Sequence, residues 1–265
     1  MNILVVNDDG WGTAGIRLLA REMTKLGKVT VVAPDGARSG FGACLTTGKG
    51  LFLQRIDERD LNGAEVYITN GTPADCVKLA RDVLFRDGKI DLVVSGINHG
   101  TNVGINTIYS GTMGACFCAA EHDIPAIGWS INSHAMDVDL HWLQPMLAEV
   151  TQHLIDEGFA PRMCYNINAP VGEIEGIQWT RQGRCHWEKE MELITNQQSP
   201  ITNQQSPITP SLEGREGEGF PQLYQLAGVF VNDEPEAQDT DLWAVDHQKI
   251  AITPCSIDFT YYEAL

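Results

Sequence analysis

Residues 2–10 read NILVVNDDG, a short and mostly apolar run from Asn2 to Val6 that stops at Asn7-Asp8-Asp9-Gly10. A run of that length closed by a turn signal reads as a strand. Ile16, Leu18, Leu19, Met23 and Leu26 then recur at near-helical spacing up to Gly27, and residues 28–33 form a second, β-branched run stopped by Pro34. The alternation continues, with strands expected over 65–69, 90–95 and 124–130 and helices over about 73–85 and 110–122. Strand and helix taken in turn predict an α/β fold, a mainly parallel sheet with helices on both faces. Residues 138–157 add an amphipathic helix and 163–167 a further strand. Beyond that the pattern changes to short strand-like runs at 176–180, 229–231 and 249–253 among polar connections, which predicts a β-rich C-terminal extension or arm. The expected division is a doubly wound domain over 1–170 and an extension over 171–265. Within the extension, ITNQQSP at 194–200 recurs letter for letter at 201–207. One Ile per unit excludes a coiled-coil seam, so 194–210 reads as a flexible loop.

Charge narrows the partners. Among 265 residues, 18 Lys and Arg stand against 35 Asp and Glu, a net charge of −17, and no segment carries a basic stripe. Nucleic-acid polymers and acidic membranes are therefore not expected as partners. An anionic substrate needs a local positive element to override this field, a metal ion or a helix N-terminus. No stretch reaches the ~18 apolar residues of a membrane span, and the opening apolar run is too short for a signal peptide. Seven cysteines without a C-x-x-C pair suggest neither a disulfide framework nor a zinc site, and a cytoplasmic location is expected.

Four segments have the residue types for chemistry, and each falls where a strand ends. Ligands of parallel sheets bind at the carboxyl ends of strands, and the adjacent acids Asp8 and Asp9 lie there. Two such acids repel unless a cation neutralises them; a turn followed by a helix N-cap accounts for them equally. After the second strand, Ser39 offers a hydroxyl as a neutral oxygen ligand within a glycine loop, and Leu45 stands where a dinucleotide fingerprint needs its third Gly or Ala. After the fourth, Ser95 to Gly104 is small and polar; Asn98 supplies a carbonyl oxygen suited to a hard divalent ion. His99 reads either as a proton donor near neutral pH or as a solvated bystander. Finally, Ser110-Gly111-Thr112 opens a helix of small residues, as a phosphate cradle or as a plain N-cap.

Taken in order, ILVVNDDG (3–10), APDGARSG (33–40), GTPADCV (71–77), DLVVSGIN (91–98) and YSGTMGA (109–115) resemble the SurE family of metal-dependent 5′-nucleotidases, also called stationary-phase survival proteins. A looser likeness extends through Asn166 to Pro170, Thr240-Asp241 and Ile252-Thr253-Pro254. The resemblance implies a Rossmann-like catalytic domain whose C-terminal extension supports a homodimer or homotetramer by exchanging elements. It implies one divalent cation, Mg²⁺ or Mn²⁺, on Asp8, Asp9, Ser39 and Asn98, all oxygen donors. It also places a phosphate on Asn102, Ser110, Gly111 and Thr112, with Gly71, Thr72, Pro73 and Asp75 shaping a nucleotide pocket. The implied reaction is hydrolysis of nucleoside 5′-monophosphates, with Asp8 and Asn98 catalytic. The alternatives are a 3′-nucleotidase or exopolyphosphatase, and a nucleotide-binding module without turnover.

Overall fold

The computed structural model describes residues 1–194 and 223–260. In chain order the strands are β1 (Asn2–Val6), β2 (Lys28–Pro34), β3 (Gln54–Ile56), β4 (Glu65–Thr69), β5 (Leu92–His99), β6 (Ala126–Ile131), β7 (Met163–Ala169), β8 (Gly176–Trp179), β9 (Cys185–Glu188), β10 (Met191–Leu193), β11 (Tyr224–Leu226), β12 (Val229–Asn232) and β13 (Lys249–Ser256). The helices are α1 (Ala14–Met23), α2 (Pro73–Leu79, running into a π-helical turn at Ala80–Leu84), α3 (Asn106–Tyr109), α4 (Gly111–Ala120), α5 (Gln144–Glu157) and α6 (Asp241–Asp246). The helix expected from 138 begins at Gln144, with Pro145 in its first turn, where a missing N–H costs no helical hydrogen bond.

Nine strands form one sheet in the order β3-β4-β2-β1-β5-β6-β7-β13-β8. The run from β4 to β7 is parallel; β3 and β13 pair antiparallel at either side of it, and β8 lies parallel to β13. The chain winds outward from β1 to β2 and β4, then crosses back to start β5 on the other side of β1. The strand order therefore reverses between β1 and β5, and a crevice opens at the carboxyl ends of that pair, where ligands of such sheets bind.

Alternation along each strand divides the core between two faces. Ile3 and Val5 of β1 join Ile16, Leu19 and Met23 of α1 and Leu147, Val150 and Leu154 of α5 on one side. Leu4 and Val6 join Ala74 and Val77 of α2 and Met113, Cys116 and Cys118 of α4 on the other. Helices thus cover both faces, as the alternating pattern predicts.

The chain divides into two compact units, Met1–Arg184 with Glu234–Leu265, and Cys185–Asp233. This differs from a division at 170, because β8 and β13 complete the large sheet and carry 171–184 and the chain after 234 into the larger unit. The smaller unit holds two antiparallel ladders, β9 with β12 and β10 with β11, and Trp187 packs edge-on against Phe230 with ring centroids 5.2 Å apart. Of the duplicated heptapeptide only Ile194 falls within the described residues; the expected loop over 194–210 otherwise lies outside them. Cys44, Cys76, Cys116, Cys118, Cys164 and Cys255 are free thiols, and among the described residues no helix is long and apolar enough to cross a membrane.

Candidate active site

Everything at the crevice starts from the turn after β1. Asn7 is fully buried and staples it, donating from Nδ2 to Gly10 O at 2.9 Å and accepting from Gly10 N at 3.3 Å. The turn holds Asp8 and Asp9 at the end of the strand. The backbone N–H of Arg38 donates to Asp8 O at 2.7 Å, which draws the loop bearing Ser39 alongside. From the other side of β1, the N–H of His99 donates to Asp9 Oδ2 at 3.3 Å, and His99 Nδ1 lies 2.9 Å from the same oxygen. Asn98 is thereby delivered beside the two acids. Its Nδ2 donates to Gly100 O at 2.6 Å, which leaves Oδ1 as the end that can meet an electron-poor partner. The register of β5 against β6 shifts between Ser95 and Asn98, the kind of irregularity that re-aims side chains next to active sites.

The fourth wall is the start of α4. Ser110 caps the helix, its Oγ accepting from Met113 N at 3.0 Å, and Thr112 Oγ1 donates to Asp8 Oδ1 at 2.7 Å. A Cβ placed on Gly111 would come within 2.8 Å of Asp8 Cβ and 3.0 Å of Asp8 Oδ2. Glycine here lets the acid sit directly against the helix N-terminus, whose exposed N–H dipoles favour negative charge. The Thr112 hydroxyl is thus given to Asp8, whereas Ser110, which only accepts at the cap, keeps its O–H to donate alongside the backbone of this first turn.

Asp8 is buried, and burial is the main reason its carboxyl is raised to about 6; Thr112 pulls it down and the neighbouring charge of Asp9 pushes it up. Among the described residues no Lys or Arg pairs with either acid; Asp9 has the His99 imidazole beside it, and Asp8 has the Thr112 hydroxyl. Two buried carboxylates, a hydroxyl and an amide oxygen fit a hard divalent ion and do not fit a soft one. No group of three or more His, Cys, Asp or Glu side chains is arranged for a metal among the described residues, which is consistent with a set half made of neutral oxygens.

Two expected groups are placed differently from the picture of side chains lining a pocket. The Asn102 amide turns inward and donates to Ser130 Oγ at 2.7 Å, while its backbone N–H donates to Asn168 Oδ1 at 2.7 Å. Asn166 Nδ2 donates to Asn102 O at 2.8 Å, so Asn102 belongs to a buried polar ladder that fixes its loop. Gly71 to Asp75 form the N-terminus of α2 with Pro73 in the first turn, where Thr72 and Asp75 cap each other reciprocally. Thr72 Oγ1 also donates to Cys44 O at 2.6 Å, and Thr46 N donates to the Asp75 carboxylate at 3.2 Å. These residues act by tethering the loop that follows Ser39.

That loop packs tightly on α4. A Cβ on Gly114 would fall 2.2 Å from Gly42 O and 2.9 Å from Ala43 Cα, both backbone. Gly114→Ala is therefore expected to lower stability by about 1–3 kcal/mol, the usual range for overpacking, measured by denaturant unfolding. A neutral outcome would mean that the loop rides loosely on the helix.

His99, open in sequence between proton donor and bystander, is buried against Asp9 and serves to orient it. Asn7, Asn166 and Asn168 also shape the site, and residue type alone does not single them out. Asparagines two apart in an otherwise apolar strand, as in β7, share one face, and that was the available signal.

A Rossmann-like sheet with paired carboxylates at its topological switch point, set against a helix N-terminus, defines an α/β protein equipped to handle a phosphate. The family described as Survival protein SurE matches residues 3–189, and the chain belongs to that family. It is 38% identical over 262 residues to a protein of Christiangramia forsetii named 5′-nucleotidase SurE, covering 97% of this chain and 92% of that one. It is 37% identical over 261 residues to the Bacteroides fragilis protein of the same name, covering 98% and 93%. The crystal structure of the SurE protein from Aquifex aeolicus superposes with a TM-score of 0.78 at 30% identity, covering 100% of this chain and 97% of that chain.

Proposed function

We propose that the chain is a 5′-nucleotidase that hydrolyses nucleoside 5′-monophosphates to nucleoside and inorganic phosphate with one divalent cation, Mg²⁺ or Mn²⁺. The nucleotidase activity is supported by the family and by the names of the relatives. The observation that carries the chemistry is Asp8 lying beside the charge of Asp9 and against the first turn of α4. Asp8, Asp9, Ser39 and Asn98 would hold the cation, which when bound polarises a phosphoryl oxygen and offsets the substrate's charge. The backbone at Ser110 to Thr112 would receive the phosphate at the positive end of α4. Asp8, an acceptor set between Asp9 and the first turn of α4, would serve as the proton acceptor for an attacking water. His99 keeps Asp9 facing the site, and the Asn102 ladder keeps the loop between Asn98 and Ser110 in shape. Gly71 to Asp75 would border the nucleoside through the loop they tether.

The smaller unit exposes Met191, Leu226 and Val229, apolar side chains that support a role in association with a second copy of the chain. A homodimer or homotetramer in a cytoplasmic setting completes this reading.

Metal-stripped protein is expected to release no phosphate from nucleoside 5′-monophosphates and to recover on addition of Mg²⁺ or Mn²⁺. The same assay on 3′-monophosphates and short polyphosphate ranks the alternatives. Preference for either would displace the 5′ assignment; release without metal would remove the cation; binding without turnover would leave a nucleotide-binding module.

A further inference from the structure

The backbone N–H and C=O of Gly104 are each held by parts of the chain that return to the site from far along the sequence. Asp241 is fully buried at the start of α6. Its Oδ2 accepts from Gly104 N at 2.9 Å, and its Oδ1 accepts from Gly183 N and Leu242 N, each at 2.9 Å. Gln182 Nε2 in turn donates to Gly104 O at 2.7 Å. Burial raises the Asp241 carboxyl, opposed by hydrogen bonds from the N–H groups of Gly104, Gly183 and Leu242. Gly104 sits midway in the loop that runs from Asn102 into α3 and so to Ser110. A buried carboxylate with three backbone donors is costly to disturb, since each donor left facing nothing forfeits its solvation.

We propose that Asp241 and Gln182 are positioning residues, a two-point clamp on Gly104 that sets the 102–106 loop and, through it, the phosphate-receiving turn at Ser110. The assignment rests on the phosphate site described above, but its geometry can be tested apart from catalysis. Asp241→Asn keeps the shape and can still accept from Gly183 and Leu242 through one oxygen. Its amide NH₂ then faces the Gly104 N–H, donor against donor. Gln182→Ala removes the other jaw from an exposed residue, a change that leaves the core untouched. Thr240→Ala serves as the control, because Thr240 Oγ1 accepts from Trp243 N at 3.2 Å and caps the same helix without touching Gly104.

The experiment uses the full chain with inorganic phosphate as probe, measuring its inhibition constant and the KM and kcat for nucleotide, together with hydrogen exchange across 102–106. Asp241→Asn is expected to raise KM and the inhibition constant ~10-fold, the scale of one lost charge-assisted hydrogen bond, with a smaller change in kcat. Gln182→Ala is expected to move the same quantities in the same direction by less. Both should speed exchange in 102–106, and Thr240→Ala should not. Equal effects of Thr240→Ala at matched loss of melting temperature, or unchanged exchange and phosphate affinity in Asp241→Asn, would overturn the clamp. Should the wild type release no phosphate from any nucleotide, the proposed function fails, and the exchange data still decide the clamp.

Discussion

Asp8→Asn is expected to reduce phosphate release by at least ~10³-fold at saturating metal while leaving the protein as stable as before or more so in the absence of metal. The loss follows from position. The Asp8 carboxylate lies beside Asp9 and against the first turn of α4, and an amide there neither neutralises a cation nor accepts a proton from water. The Thr112 hydroxyl can still donate to the amide oxygen, so the local fold keeps its hydrogen bond. Stability moves the other way because the folded state raises this carboxyl from 3.8 to about 6, chiefly by burial. A carboxyl raised on folding contributes stability that is fully present below its unfolded value and lost as pH climbs through the folded value. At pH 8 the metal-free wild type therefore carries a buried, uncompensated charge that Asn removes. Thermal melts of metal-free wild type and variant should show the variant melting higher at pH 8, with the gap closing towards pH 4. A variant that keeps its activity would take Asp8 out of the chemistry; one that melts lower at pH 8 would show that the carboxylate stabilises the fold.

The same contrast explains what could be seen before the structure. The positions of Asp8, Asp9 and Ser39 after a strand were legible because a strand end is a local event: an apolar run stops, and the next polar residues lie at its carboxyl end; Asn98 instead falls inside β5, which runs on from the expected end at 95 to His99. That β1 lies between β2 and β5 was not legible, since Ile3 pairs with Val29 and with Leu92 across very different separations in the chain. Burial of His99 was hidden for the same reason; its partner Asp9 is 90 residues away. Asn102 shows the limit of residue type as a guide, because a small amide looks alike in sequence whether it meets a ligand or Ser130. Asp241 carried only the looser family likeness of Thr240-Asp241, while its contact with Gly104 spans 137 residues. Non-local hydrogen bonds leave no periodicity, and it is they that convert four separate loops into one site.

Trp129→Ala is expected to cost about 3–5 kcal/mol of stability, the range for removing a large buried aromatic, without changing kcat or KM of the molecules that remain folded. Trp129 is wholly buried in β6 and belongs to the core shared with α1 and α5. Its neighbours point the other way: a Cβ on Gly128 would meet Met113 Sδ and Thr112 Cγ2 of α4, and Ser130 holds Asn102. The strand thus keeps its site-bearing face and its packing face apart, and a cavity opened on the second should not move the first. Among the described residues the buried indole Nε1 has no hydrogen-bond partner, a cost that any residue lacking that N–H avoids. Trp129→Phe is accordingly expected to lose much less than Trp129→Ala, because it gives up some packing and relieves the unpaired donor. Denaturant unfolding of the three proteins, with kinetics on the folded fraction, checks both parts. A drop in kcat in step with stability would mean that the helices of the far face support the catalytic loops as well, and that the two faces of β6 act as one unit.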